Sequence, residues 1–113
     1  MGLATAYAKE VMRVRALGVA TADIASATGA ERGTVTAWAR ASRRPSGIYR
    51  QRLLELVSLL ERLVTVMDPS SVPLWLQKPL RVLNDERPLD ALAAGRYREV
   101  SKLVAELEND SFS

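Results

Sequence analysis

The sequence contains neither cysteine nor histidine, so any chemistry it performs must use carboxylates, arginine, lysine, tyrosine or hydroxyl groups. Without thiolate or imidazole, the usual ligands for zinc and copper are missing, and no Ser-His or Cys-His nucleophile can be assembled. A carboxylate set with acid–base potential is Asp85 and Glu86 with Asp90. These residues fall in a polar loop and at a helix start beside Pro88, where solvation and helix capping account for acidic side chains. No glycine-rich phosphate loop or apolar cleft is evident beside them. The sequence therefore reads as a non-enzyme with no metal and no cofactor.

Anion recognition is the other chemistry available. Arg32, Thr34, Thr36 and Arg40 punctuate one short stretch, and Arg43 and Arg44 follow it. Arginine pairs with guanine edges, threonine reaches a thymine methyl or a phosphate, and the later arginines, with Arg50 and Arg52, suit backbone contacts. Glu31 opposes phosphate unless it accepts from a cytosine amine, and Gly33 weakens the helix by roughly 1 kcal/mol. The charge is uneven along the chain. Residues 1–52 hold nine basic residues against three acidic ones, and residues 53–113 hold seven against ten. A net +3 thus conceals a basic half and an acidic half, which suggests two different partners, the first of them nucleic acid.

The elements that would position these groups are all helical, because no stretch alternates long enough for a strand. Leu3, Tyr7, Val11 and Val14 mark a first helix closed by Gly18. Thr21 is a plausible N-cap for a second, through about Ala27, and a third runs from Glu31 to Ala41. After the loop "SRRPSG", the longest element extends from Ile48 to Met67, with Leu53, Leu56, Leu60, Leu63 and Met67 on one face. Leu54, Val57 and Val64 widen that stripe, so it must be covered on more than one side, by a second subunit and by the C-terminal segment. Beyond "DPSSVP" come short helices around Leu74–Gln77 and Leu89–Ala94, then a last helix from Arg96 to Glu108. That helix buries Val100, Leu103, Val104 and Leu107, and "NDSFS" reads as a loose tail.

Thr21 to Arg40 meets the demands of a helix-turn-helix. Ala25 is small where two helices cross, Gly29 tolerates a left-handed turn, and Val35 and Trp38 anchor the second helix with Ile24 opposite. With "WARASRRP" after it, the segment resembles the helix-turn-helix of phage-repressor and Xre-like regulators. It departs at Thr28, where an apolar residue is usual.

A second resemblance begins at Trp75-Leu76. With Pro79, Leu83, Arg87-Pro88-Leu89-Asp90, Leu92, Gly95, Val100 and Leu103, residues 72–104 look like the toxin-binding domain of Xre/MbcA/ParS-type antitoxins. "RVLNDERP" replaces the shorter, more glycine-rich turn usual there. The two resemblances together cover nearly the whole chain. They imply a non-catalytic inhibitor of a RES-domain, NAD-consuming toxin that also represses its own operon. Carried over, Tyr97, Arg98, Ser101 and Lys102 contact the toxin, and Asn109, Asp110, Ser111, Phe112 and Ser113 reach its cleft.

The expected organisation is a DNA-binding unit over residues 1–45, a connecting and dimerising helix over 46–67, and a toxin-binding segment over 68–113. The expected partners are the toxin, operator DNA and a second copy of the chain. The alternative is a stand-alone dimeric transcription regulator. A cytoplasmic location is expected, because Lys9, Glu10, Arg13 and Arg15 interrupt any secretory apolar region and Ala6 breaks the myristoylation pattern. Glu55, Glu61 and Arg62 argue against a membrane span in the long helix.

Overall fold

The structure, a computed structural model, describes residues 2–111. Its α-helices are α1 (Leu3–Ala16), α2 (Thr21–Thr28), α3 (Arg32–Ala39), α4 (Gly47–Leu63), α5 (Val72–Gln77), α6 (Pro88–Ala93) and α7 (Tyr97–Ser111). Single 3-10 turns at Pro69–Ser71 and Arg81–Leu83 flank α5. No strand forms among the described residues, and only an isolated antiparallel bridge joins Leu80 to Glu86. The fold is all-α.

One core runs through every helix. Val11 and Val14 of α1, Ile24 of α2, and Val35 and Trp38 of α3 are buried with Leu53, Leu56 and Leu60 of α4. Val72, Leu76, Leu89, Leu92, Val100 and Val104 bring α5, α6 and α7 into the same cluster. α2 packs on α3, α4 and α6, while α4 also meets α1 and α7. Most of the α4 stripe is therefore covered from within the chain, by α2, α1 and α7, while Leu54 and Val64 stay exposed.

Thr28 is fully buried, and its hydroxyl explains the departure from an apolar residue. It donates to the Ile24 carbonyl at 2.8 Å and accepts from the Ala30 amide at 3.4 Å. A buried hydroxyl with such partners does not incur the full desolvation cost.

Several element ends differ from expectation. Ala20, not Thr21, is the N-cap of α2, and it makes no side-chain cap bond. α3 ends at Ala39, with Arg40 as its cap. α4 stops at Leu63, four residues before Met67. Val64, Thr65 and Val66 are β-branched, and the Thr65 hydroxyl takes the Arg62 carbonyl at 2.6 Å in competition with the helix ladder. At the C-terminus, Asn109, Asp110 and Ser111 continue α7 rather than forming a loose tail. The residue just before them is anchored, because Arg62 of α4 holds Glu108 at 2.7 Å.

Candidate functional site

The groups expected to contact DNA lie around α3. Gly29 ends α2 at φ +80, and its amide donates to the Ala25 carbonyl at 2.8 Å, turning the chain toward α3. Val35 and Trp38 point inward, and Trp38 meets the Tyr49 ring at 6.4 Å between centroids with a 52° tilt. That leaves Arg32 and Arg40 exposed at the two ends of α3, with Thr34 and Thr36 half-buried on its flanks.

Four of the six expected residues line two grooves. Arg32 and Gly33 line a shallow groove with Ala22 and Ser26 of α2. Thr34 lines a cleft on the other side, with Arg43, Arg44, Ser46 and Tyr49. The loop carrying those arginines is ordered by the Ala37 carbonyl, which accepts from the Ser42 amide at 3.0 Å and from its hydroxyl at 3.1 Å. Ala41 takes φ +59 to make that turn.

Arg52 lies elsewhere than expected. Its guanidinium sits between two left-handed glycines at the ends of different helices. A Cβ at Gly29 would lie 3.0 Å from Arg52 Nη1, and one at Gly95 would lie 3.1 Å from its Nη2. The cation lies close to the C-terminal, negative ends of both α2 and α6, between the α2–α3 turn and the α6–α7 turn.

Along α7, the expected contact residues fall on two faces. Arg98, Lys102 and Asn109 are exposed on the outward face, and Asp110 is exposed near the helix end. Tyr97 and Ser101 are half-buried toward α4. The Ser101 hydroxyl accepts from Arg62 Nη1 at 2.8 Å, and its carbonyl accepts from Nη2 at 3.1 Å. Hydrogen bonding to Glu108 raises the Arg62 pKa further, against the opposing effect of burial. Ser111 ends the helix, while Phe112 and Ser113 lie outside the described residues.

Of the carboxylates considered first, Glu86 and Asp90 are occupied by ion pairs. Glu86 accepts from Arg96 at 2.6 Å. Asp90 accepts from Arg87 Nε at 3.0 Å and Nη2 at 2.7 Å, and from the Arg87 amide at 3.1 Å. Those bonds hold the Asp90 carboxyl below its ordinary pKa and raise that of Arg87. Gln77 joins this pair to α2, accepting from Arg87 and donating to Asp23 at 2.9 Å. Sequence reasoning missed Arg62, Gln77 and Arg87 as organising residues. The available signal was an arginine inside the apolar stripe of α4, with serine and glutamate spaced along the last helix. Among the described residues, no helix is long and apolar enough to cross a membrane.

No family model matches the chain. Among individual relatives, the chain is 31% identical over 87 residues to a probable mycobacterial cidal antitoxin of Mycobacterium tuberculosis, covering 77% of this chain and 74% of that protein. It is 25% identical over 91 residues to the mycobacterial cidal antitoxin MbcA of M. tuberculosis and of M. bovis, covering 80% of each. A chain of the solved M. tuberculosis MbcT–MbcA toxin–antitoxin complex has the same fold, with a TM-score of 0.78 at 24% identity, over 94% of this chain and 96% of that one. An all-α chain with α2–α3 and α5–α7 on one shared core has the architecture of an antitoxin-class protein. The chain belongs to the mycobacterial cidal antitoxin family.

Proposed function

We propose that this antitoxin neutralises a RES-type, NAD-consuming toxin through α7 and its C-terminal residues. It also binds operator DNA through α3 and the loop that follows, using a helix-turn-helix formed by α2 and α3. Residues 1–45 then serve DNA, 46–67 connect and dimerise, and 68–113 serve the toxin, in a cytoplasmic homodimer without catalysis of its own. Membership of the antitoxin family supports the first role, together with the relative whose solved structure is of a toxin–antitoxin complex.

One observation carries the DNA role. Arg32, Arg40, Arg43, Arg44 and Arg50, gathered around one helix and its loop, make no ion pair with any described residue; in the second half Arg62, Arg87 and Arg96 are paired with described residues, while Arg81 and Arg98 are not. Unpaired arginines around one helix and its loop are available for phosphates. On α7, Arg98, Lys102, Asn109 and Asp110 are the contacting groups that remain exposed, since Arg62 engages Ser101.

Co-expression with the product of the neighbouring gene tests the toxin role. A stable complex that the double substitution R98E/K102E weakens supports it, and a homodimer that never retains that product overturns it. Binding to the chain's own promoter at increasing salt tests the DNA role. The expected slope of log affinity against log salt is about −3 or steeper for a dimer, and a slope near zero overturns the role.

A further inference from the structure

α2 and α6 pack side by side and point the same way. Gln77 reaches the N-terminal turns of both, through Asp23 of α2 and Arg87 at the cap of α6. Their C-terminal ends meet at one guanidinium, where Arg52 of α4 lies close to both Gly29 and Gly95. Helices paired in this sense bring like partial charges together at each end. Side-chain charges offset both. Asp23 and Asp90 stand in the first turns, at the positive ends, and Arg52 stands between the negative ones. No described carboxylate pairs with Arg52, so its charge is left to the last carbonyls of the two helices.

Each of those ends leads into a helix to which a role is proposed above. Gly29 turns the chain toward α3, and Gly95 turns it toward α7, both at φ +80. The Gly29 amide donates to the Ala25 carbonyl at 2.8 Å, and the Gly95 amide to the Leu92 carbonyl at 2.9 Å. We propose that Arg52 is a positioning residue for DNA binding, setting the α2–α3 turn against the α6–α7 turn, so that Gly95 governs the pose of α3 from outside the helix-turn-helix. The inference rests on the DNA role in the reading above and adds a control on it. A displaced turn lowers the fraction of molecules with α3 in its binding pose, and the apparent affinity falls by that fraction. The number of phosphates neutralised stays the same. Loss of a phosphate contact behaves otherwise, because it also flattens the salt dependence, by about one in slope per subunit.

Binding of the full chain to its own promoter at several salt concentrations tests this for R52Q, G95A and R52Q/G95A, with thermal melts to confirm that each variant is folded. R52Q should weaken binding by about three- to tenfold with the slope unchanged. A Cβ at Gly95 would lie 3.1 Å from Arg52 Nη2, so G95A displaces the guanidinium. G95A should therefore weaken binding by about threefold alone and add nothing in the R52Q background. Hydrogen exchange of the free chain is a second arm that needs no DNA, and R52Q should accelerate it at the amides of both Gly29 and Gly95. A flattened slope in R52Q makes Arg52 a phosphate contact and overturns the proposal, as does G95A binding like the wild type. Faster exchange at one turn alone, or at neither, overturns it too. A wild-type chain that binds no DNA overturns the DNA role and leaves the link between the two turns to stand or fall by exchange.

Discussion

The side-chain amide of Gln77 donates to the carboxylate of Asp23 at 2.9 Å, joining α5 to α2. The other end of the same amide accepts from Arg87, whose guanidinium also grips Asp90. Four side chains thus tie α2 to α5 and α6, while the Arg52 guanidinium lies between the far end of α2 and the α6–α7 turn. The proposed DNA-binding and toxin-binding segments are parts of one packed body rather than beads on a linker.

Substituting Gln77 by alanine should loosen this tie. Asp23 and Arg87 would each lose a half-exposed partner that water can partly replace, so the cost should be about 1 kcal/mol. That corresponds to a fall of roughly 4 °C in melting temperature for a domain of this size. Hydrogen exchange should accelerate at the amides of α2 and α5 more than at those of α4. Unchanged melting with unchanged exchange in α2 would show that the relay contributes nothing.

Two glycines on either side of the same turn should respond in opposite directions. Gly29 holds φ +80, and a Cβ there meets Arg52 at 3.0 Å, so G29A should destabilise by about 1–2 kcal/mol. Gly33 is helical, with nothing within 4 Å of an added Cβ, and G33A should stabilise by about 0.5–1 kcal/mol. Urea denaturation of the two variants settles the matter. A shift of the same sign in both contradicts the assignment of the turn.

Local rules made the N-terminal half readable. Gly29, Val35 and Trp38 announce a turn and an anchored helix by spacing alone, and the structure places all three accordingly. The wide stripe of α4 correctly demanded several covers, but periodicity does not say which elements provide them. What stayed hidden depends on side chains far apart in sequence. Arg52 looked like a phosphate contact because an arginine after a basic loop usually is one. Only the approach of α6 gave it two helix ends to face. The same holds for the end of α7, where "NDSFS" has the composition of a loose tail and the Arg62–Glu108 pair anchors the turn preceding Asn109. Among the proposed toxin contacts, Ser101 could not be separated from Arg98 and Lys102 by spacing. The direction of α4 decides which side of α7 is taken.

Arg62 invites a direct test of that last point. Its side chain donates four hydrogen bonds, to Glu108 and Ser101, from a position 26% exposed. R62A should cost about 2 kcal/mol, since it leaves half-buried acceptors on α7 without their donor. Because α4 and the rest of the core remain, the effect should be local. Exchange should rise sharply at the amides after Val104 and little in α2 or α3. Global loss of protection, or none at the end of α7, would overturn the anchoring role.

The last prediction concerns acid. Hydrogen bonds from the Arg87 side chain and amide keep the Asp90 carboxyl below its ordinary pKa in the folded chain. A carboxyl with a depressed folded pKa binds fewer protons folded than unfolded, so stability falls as pH drops through this range. The contribution is full above about pH 5, where an unstructured aspartate is almost wholly ionised, and disappears as pH falls through the lowered folded value. Because the Asp90 side chain is 40% exposed, solvent screening holds its share below about 1 kcal/mol. Asp68, held low by the Ser70 hydroxyl and amide, acts in the same direction, so the informative quantity is the difference between wild type and D90N. That difference should be constant from neutral pH to about pH 5 and shrink steadily below pH 4 as wild-type Asp90 takes up its proton. A difference that persists unchanged to pH 2 would mean that D90N acts through shape rather than charge, and that Arg87 does not depend on an ionised Asp90 to hold the start of α6.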